Sequence, residues 1–320
     1  MTKPLQPAAG QAADSIQPEA VREYAANKAR TTRFTCGAPR CATLLGDERM
    51  LFLRSDGSED TVTALWVSVN NGTDAVGEFM LADPRTLLAD ADAEDVPAEE
   101  RARRERARES GSGIVAYSVD DAGRTVLFTI NGEDGVTAET RRLELTFDDD
   151  GEREYATPIL NPRVSPDGTR GAHATGTAVV VAETATGRAH AVFTVVEQDR
   201  ATMRAGLAEF AAAEEMDRYS GFWWGPDSRT LLVECFDSAA EPLWTISDPA
   251  NPADPGMRHR YPRALTQNAV VDLFAVHLAD DRLHVDRTAL VDWDNTAYEY
   301  LAVVRWQAGQ RPLLRVRNRL

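Results

Sequence analysis

"PILNPRVSPDGTRGAHATGTAVVVAETATGRAHAVF", residues 158–193, decides the fold. It reads as a short apolar strand, a Ser165-Pro166-Asp167-Gly168 turn, and further apolar strands separated by polar breaks. Each turn residue has a physical task. Proline presets φ at the first corner, aspartate bonds back to the backbone, and glycine accepts a positive φ. The same form recurs on both sides: "ATLLGDERMLFLRSDGSEDTVTALWVSV" (42–69), "GIVAYSVDDAGRTVLFTING" (113–132), "GFWWGPDSRTLLVECFDSAAEPLWTIS" (221–247) and "YEYLAVVRWQAGQRPLLRVRNRL" (298–320). Short antiparallel sheets recurring roughly every 45–70 residues predict the blades of a β-propeller carrying insertions. Four blades and part of a fifth are expected. A βαβ fold would need helical patterns between the strands, and these are mostly missing.

Three segments depart from the strand pattern. "SIQPEAVREYAANKA" (15–29) predicts a short helix, with Pro18 and Glu19 in its first turn. It belongs to an N-terminal extension, residues 1–27, and residues 28–320 are assigned to the propeller. "DVPAEERARRERARESGSG" (95–113) predicts a charged helix between Pro97 and Gly111. "MRAGLAEFAAAEEMDRYSG" (203–221) contains a second short, alanine-rich helix. Insertions on a rigid β scaffold often carry function.

Composition removes several function classes. The 320-residue chain is 43% hydrophobic and 27% charged, the balance of a globular protein. No apolar run approaches the roughly 20 residues that span a bilayer, and the N-terminus lacks the pattern of a signal peptide. A cytoplasmic protein without membrane contact is expected. A formal net charge of −16 argues against nucleic acid as a partner. Cys36 and Cys41 have a C-x4-C spacing without a second ligand pair, so they and Cys235 read as reduced thiols. No metal and no cofactor is expected.

No catalytic residue is assigned. No serine follows a glycine by two positions, so the G-x-S-x-G nucleophile elbow is absent from these residues. The five histidines are scattered and form no H-x-x-x-H pair. Two constellations remain. The first is Glu214-Glu215, followed by Tyr219, Phe222, Trp223 and Trp224. Neighbouring carboxylates repel, and a bound ammonium relieves that repulsion. Aromatic walls add cation–π attraction of about 0.5–2 kcal/mol. Side chains at adjacent helical positions diverge, so the pair converges on one cation only where the helix is short or ends, and Ser220-Gly221 marks such an end. A solvated helix face, with the tryptophans in the core of the following strand, is the alternative. The second is Arg101, Arg103, Arg104, Arg106 and Arg108. They suit carbonyl or carboxylate oxygens, or form i,i+4 ion pairs with Glu105 and Glu109 on a solvated helix.

Together these stretches are similar to the dipeptidyl peptidase IV branch of the prolyl oligopeptidase family. "GLAEFAAAEEMDRYSGFWWGPDS" (206–228) resembles its double-glutamate segment, "ARTTRFTCGAPR" (29–40) the approach to its propeller, and "ARRERARESGSGIVAYS" (102–118) the charged helix of bacterial members. "ISDPANPADPGMRHRYPRALTQNAVVDLFAV" (246–276) resembles the segment that follows. The resemblance implies a serine peptidase that releases Xaa-Pro or Xaa-Ala dipeptides from peptide N-termini. An eight-bladed propeller there precedes an α/β-hydrolase domain. It implies that Glu214 and Glu215 bind the substrate amine, and that Arg106, or alternatively Arg104, holds a backbone carbonyl. The expected partners are peptide N-termini and either the missing hydrolase domain or a second copy of the chain. A stand-alone peptide-binding or protein-interaction propeller, a pseudoenzyme, is the alternative function. Two local departures stand out. "CFDSAAEPLW" (235–244) lacks the Asp-Glu pair usual in bacterial members, and Leu265 stands where relatives tend to have glycine. A branched residue resists the positive φ of such a turn.

Overall fold

The computed structural model describes residues 18–31, 33–46, 48–70, 76–87, 112–130, 133–137, 141–142, 145–156, 158–247 and 256–319. Helix α1 (Pro18–Arg30) carries Glu19 in its first turn and Lys28 and Arg30 in its last, charges that complement the helix dipole. Most of the charged helix expected over 95–113, including every arginine from 101 to 108, lies outside the described residues.

The chain is otherwise built from antiparallel sheets. Strands β1 (Arg40–Leu44), β2 (Arg49–Ser55), β3 (Val62–Asn70) and β4 (Val76–Ala82) form one meander, followed by the single-turn helix α2 (Pro84–Leu87). Strands β5 (Ser112–Val119), β6 (Val126–Ile130), β7 (Glu133–Thr137) and β8 (Arg141–Arg142) form the next, tied to the first where β3 and β5 pair briefly in parallel. Then β9 (Thr146–Phe147) returns in parallel onto the outer strand of the sheet β10 (Leu160–Val164), β11 (Arg170–Ala174), β12 (Ala178–Glu183) and β13 (Arg188–Thr194).

Strand β14 (Met203–Leu207) and helix α3 (Phe210–Glu215) lead into β15 (Ser220–Trp224) and β16 (Thr230–Asp237). The expected third strand of this unit, β17 (Leu243–Ile246), does not join it. It pairs with β18 (Met257–Arg260) in a hairpin whose Leu243, Trp244 and Ile246 are exposed. The sheet continues instead with β19 (Val270–Leu278), registered along the whole of β16, and β20 (Val285–Val291). Strands β21 (Tyr300–Arg305) and β22 (Leu313–Arg317) pair last.

Successive sheets stack face to face, and the period of two decides which residue meets which neighbour. In β12, Val179 and Val181 pack toward the β15–β20 sheet with Phe222, Leu231 and Val233. Val180 and Ala182 pack the other way, with Leu127 of β6. Leu232 turns its back on Val233 and meets Leu301 and Val304 of β21. An uninterrupted apolar strand is therefore one covered on both faces.

The repeated turns hold these sheets in step. The Asp121 N–H donates to Pro166 O (3.0 Å), and the Asp167 N–H donates to Ser228 Oγ (3.1 Å). Three equivalent turns thus touch in succession along one rim. Gly168 has φ 76°, and a Cβ there would stand 2.7 Å from Asp120 Oδ2. Gly221 is required differently: a Cβ would stand 2.3 Å from the Leu207 backbone, where β14 crosses β15.

The turn at Leu265 takes the strained conformation. Leu265 has φ 65° and is 99% exposed, inside a turn closed by the Thr266 N–H on Arg263 O (3.1 Å). Leu265→Gly removes a left-handed penalty and no buried surface. It is expected to raise stability by up to about 1 kcal/mol, read as an increased urea midpoint. An unchanged or lowered midpoint would show that the turn carries no such strain.

Candidate functional site

Helix α3 is short for local reasons. The carboxylate of Glu209, its N-cap, accepts the N–H groups of Ala211 (2.7 Å) and Ala212 (2.6 Å). Ala212 and Ala213 are buried. The chain then turns away, with the Met216 N–H (3.2 Å) and the Arg218 N–H (3.1 Å) both donating to Ala212 O, and Asp217 at φ 51°. Glu214 and Glu215 are thus the exposed last residues of a six-residue helix. Two carboxylates at a helix C-terminus oppose its dipole, so the arrangement favours a cation beside them.

A buried ion pair fixes this helix in place. Arg218, 7% exposed, reaches the fully buried carboxylate of Glu234 on β16 through two bonds of 2.5 and 3.2 Å. Its Nε donates to Leu301 O of β21 (2.8 Å) and its Nη1 to Ser220 O (2.8 Å). Glu234 also accepts the Glu209 N–H (3.1 Å). The start of α3, its exit, β16 and β21 therefore meet at one pair. Burial pushes the Glu234 carboxyl up to about 6 against the pull of Arg218. Glu241 lies on the chain beyond β16 and is pushed up to about 7 by burial. The Ala269 N–H (3.1 Å) opposes that rise and Glu209 adds repulsion.

Immediately after Glu215, the residues from Met216 to Ser220 form part of the wall of a cavity of about 470 Å3. The rest of that wall comes from β5, β10, β15 and β21, with Thr129 and with Cys41 of β1. Register slips occur where four of these strands reach it, between Arg40 and Thr43, Ile114 and Ala116, Leu160 and Arg163, and Leu301 and Val303. Such bulges re-aim side chains, and they cluster beside sites.

The structure divides the aromatic run. Phe222 is buried in the core, and the Trp224 indole donates to Arg163 O (3.0 Å). Tyr219 and Trp223 line the cavity, with the Arg218 guanidinium 5.8 Å from the Trp223 ring centroid. Arg104 and Arg106 lie outside the described residues, so no geometry joins them to Glu214 and Glu215. Sequence reading passed over Glu209, Arg218 and Glu234. Glu209 had a visible signal, an acid directly before an alanine run, but Arg218 and Glu234 are partners only through space. None of the three cysteines is in a disulfide. Among the described residues, no group of three or more His, Cys, Asp or Glu is placed to hold a metal ion, and no helix is long and apolar enough to cross a membrane.

Removing Arg218 strands a buried carboxylate. Arg218→Ala is expected to cost about 3–5 kcal/mol in urea unfolding, with Arg218→Lys intermediate. A loss under 1 kcal/mol would deny the pair its role. A pH test addresses Glu241. Its folded pKa stands above the ordinary 4.5, so the folded chain holds more protons than the unfolded one between about 4.5 and 7. Its contribution to stability therefore falls as pH rises through that window. His173, pushed down to about 4 by burial, has the opposite slope over part of it, so the difference between variant and parent is the readout. Glu241→Gln should stabilise relative to the parent at pH 8, and the gain should shrink toward pH 5. A pH-independent difference contradicts this assignment.

The family model of the dipeptidyl peptidase IV N-terminal region matches residues 113–320, which include α3, its buried ion pair and most of the cavity wall. That match covers well over half of the sequence, and the chain belongs to the dipeptidyl peptidase IV N-terminal region family.

Proposed function

We propose that this chain is the substrate-recognition propeller portion of a serine dipeptidyl peptidase, and that Glu214 and Glu215 capture the free amine of a peptide N-terminus. The observation that carries the reading is the placement of two exposed carboxylates at the end of a short, buried-pair-anchored helix, directly before the cavity wall. Adjacent carboxylates there repel each other, and an ammonium offsets both the mutual repulsion and the helix dipole. The stacked sheets, several of which send a strand to one cavity, fit four blades and part of a fifth of an eight-bladed ring. An arginine of the 101–108 segment, Arg106 or Arg104, would hold a peptide carbonyl. Fixing the N-terminus selects which bond is presented for cleavage, which is the contribution of positioning to catalysis. These residues show no nucleophile elbow, so the chain is expected to bind Xaa-Pro peptides without cleaving them.

Calorimetry with a Xaa-Pro dipeptide tests the site. Glu214→Gln and Glu215→Gln are each expected to weaken binding about tenfold or more, the scale of a charge-assisted hydrogen bond. N-acetylation of the dipeptide should have a similar effect. Equal binding of free and acetylated ligands would end the amine-capture reading.

A further inference from the structure

Two histidines far apart in the sequence meet between neighbouring sheets. His190 stands on β13, and His284 in the turn between β19 and β20. Their ring centroids are 4.6 Å apart, with the planes tilted by 49°. Neither residue lines the cavity beside α3. The side chains are 25% and 41% exposed, so a solute reaches both rings from the solvent.

Each ring is oriented by its own carboxylate. Glu152, in the 3-10 turn Asp150–Tyr155, places Oε1 2.9 Å from His190 Nδ1, and its Oε2 accepts the Ala191 N–H (3.2 Å). Asp281 Oδ2 stands 2.6 Å from His284 Nδ1, and its Oδ1 accepts the N–H groups of Leu283 (2.9 Å) and His284 (3.0 Å). A carboxylate on Nδ1 selects the neutral tautomer in which Nε2 keeps its lone pair, as it does behind metal-bound histidines. Neither Nε2 has a hydrogen-bond partner among the described residues. The turn that carries His284 is also anchored independently of the rings. Arg170 of β11 donates to Asp281 O (2.8 Å) and to Arg282 O (3.2 Å).

The ring separation suits a shared ion. An imidazole nitrogen binds Zn2+ at about 2.0–2.1 Å, which puts the ring centre about 3.2 Å from the metal, so two rings at right-angle or tetrahedral positions have centres about 4.5–5.2 Å apart. The observed 4.6 Å lies within that interval. The surrounding charge is favourable as well. Glu152, Asp281 and Asp148 act on the rings, and Arg188 is bonded to Asp148 (2.5 and 2.9 Å). We infer that His190 and His284 form a two-imidazole site for a divalent transition-metal ion of the Zn2+ type, which clips β13 to the β19–β20 turn. Among the described residues no set of three ligands is placed for a metal, so water completes the coordination. Imidazole selects Zn2+, Cu2+ and Ni2+ over Mg2+ and Ca2+, which take oxygen ligands. The two rings meet only in the folded chain, so the ion stabilises the folded state.

The test uses the full chain without a histidine tag, stripped of metal with a chelator that is then removed. Calorimetry with Zn2+ is expected to show one ion per chain, with a dissociation constant in the micromolar range and no comparable binding of Mg2+. Saturating Zn2+ should raise the thermal midpoint by about 2 °C or more. The electron spin-echo spectrum of bound Cu2+ should show two coordinated imidazoles. His190→Gln and His284→Gln are each expected to weaken Zn2+ binding at least about tenfold, and to leave one imidazole on Cu2+. Glu152→Gln, which keeps both ligands, should weaken Zn2+ by about tenfold through the orientation of His190. The spectrum of the parent chain needs no variant, so it decides even where a substitution disturbs folding. Equal binding of Zn2+ and Mg2+, fewer than two imidazoles on Cu2+ in the parent, or Zn2+ affinity that survives either histidine substitution overturns the metal site.

Discussion

Burial of every inner sheet on both faces is the constraint from which the rest of the architecture follows. A strand such as β12 has no solvent side, so Val179 and Val181 serve one core while Val180 and Ala182 serve the next. Polar groups are pushed to the ends of the strands or to the strands nearest the cavity. The Pro-Asp-Gly turns occupy the ends, where the Asp167 carboxylate is bonded by Ser165 Oγ, Thr169 N–H and Thr169 Oγ1. The register slips occupy the cavity side. There a bulge lets a strand present polar backbone and side chains without breaking the apolar contacts behind it.

Glu234 is a charged exception to that rule. It sits in the middle of an apolar strand with no solvent contact, so its charge must be met inside the protein. Arg218 meets it, and the same guanidinium also takes up Leu301 O and Ser220 O. A buried pair of this kind contributes little net stability against a hydrophobic replacement. Its geometry is specific, however, and it sets where α3 leaves the sheet. The exposed glutamates owe their position to carboxylates that never see solvent.

Much of this was legible in the sequence, for identifiable reasons. Turn residues and apolar runs are local, so the strand–turn–strand units around Ser165–Gly168 and Gly225–Ser228 were visible, as was the end of α3 before Ser220-Gly221. The requirement for a positive φ at Leu265 was also foreseen, although leucine meets it. Partner choice between strands is not local. "LWTIS" reads as the third strand of its unit, yet β17 leaves for β18, and β19 takes its place along β16. Glu234 within "TLLVECFD" resembles a residue on a solvent face, because the sequence alone does not show that both faces of β16 are covered. Asn161 is a residue type that tolerates a left-handed backbone, but Pro162 after it favours an extended one, so its φ of 53° is not legible locally.

Charge separation over a short length of chain favours the amine-capture proposal over a solvated helix face. If Glu214 and Glu215 were surface charges only, the surface around them would be expected to share the acidic balance of the whole protein. Instead the residues that follow lead into a wall where arginine outnumbers acid.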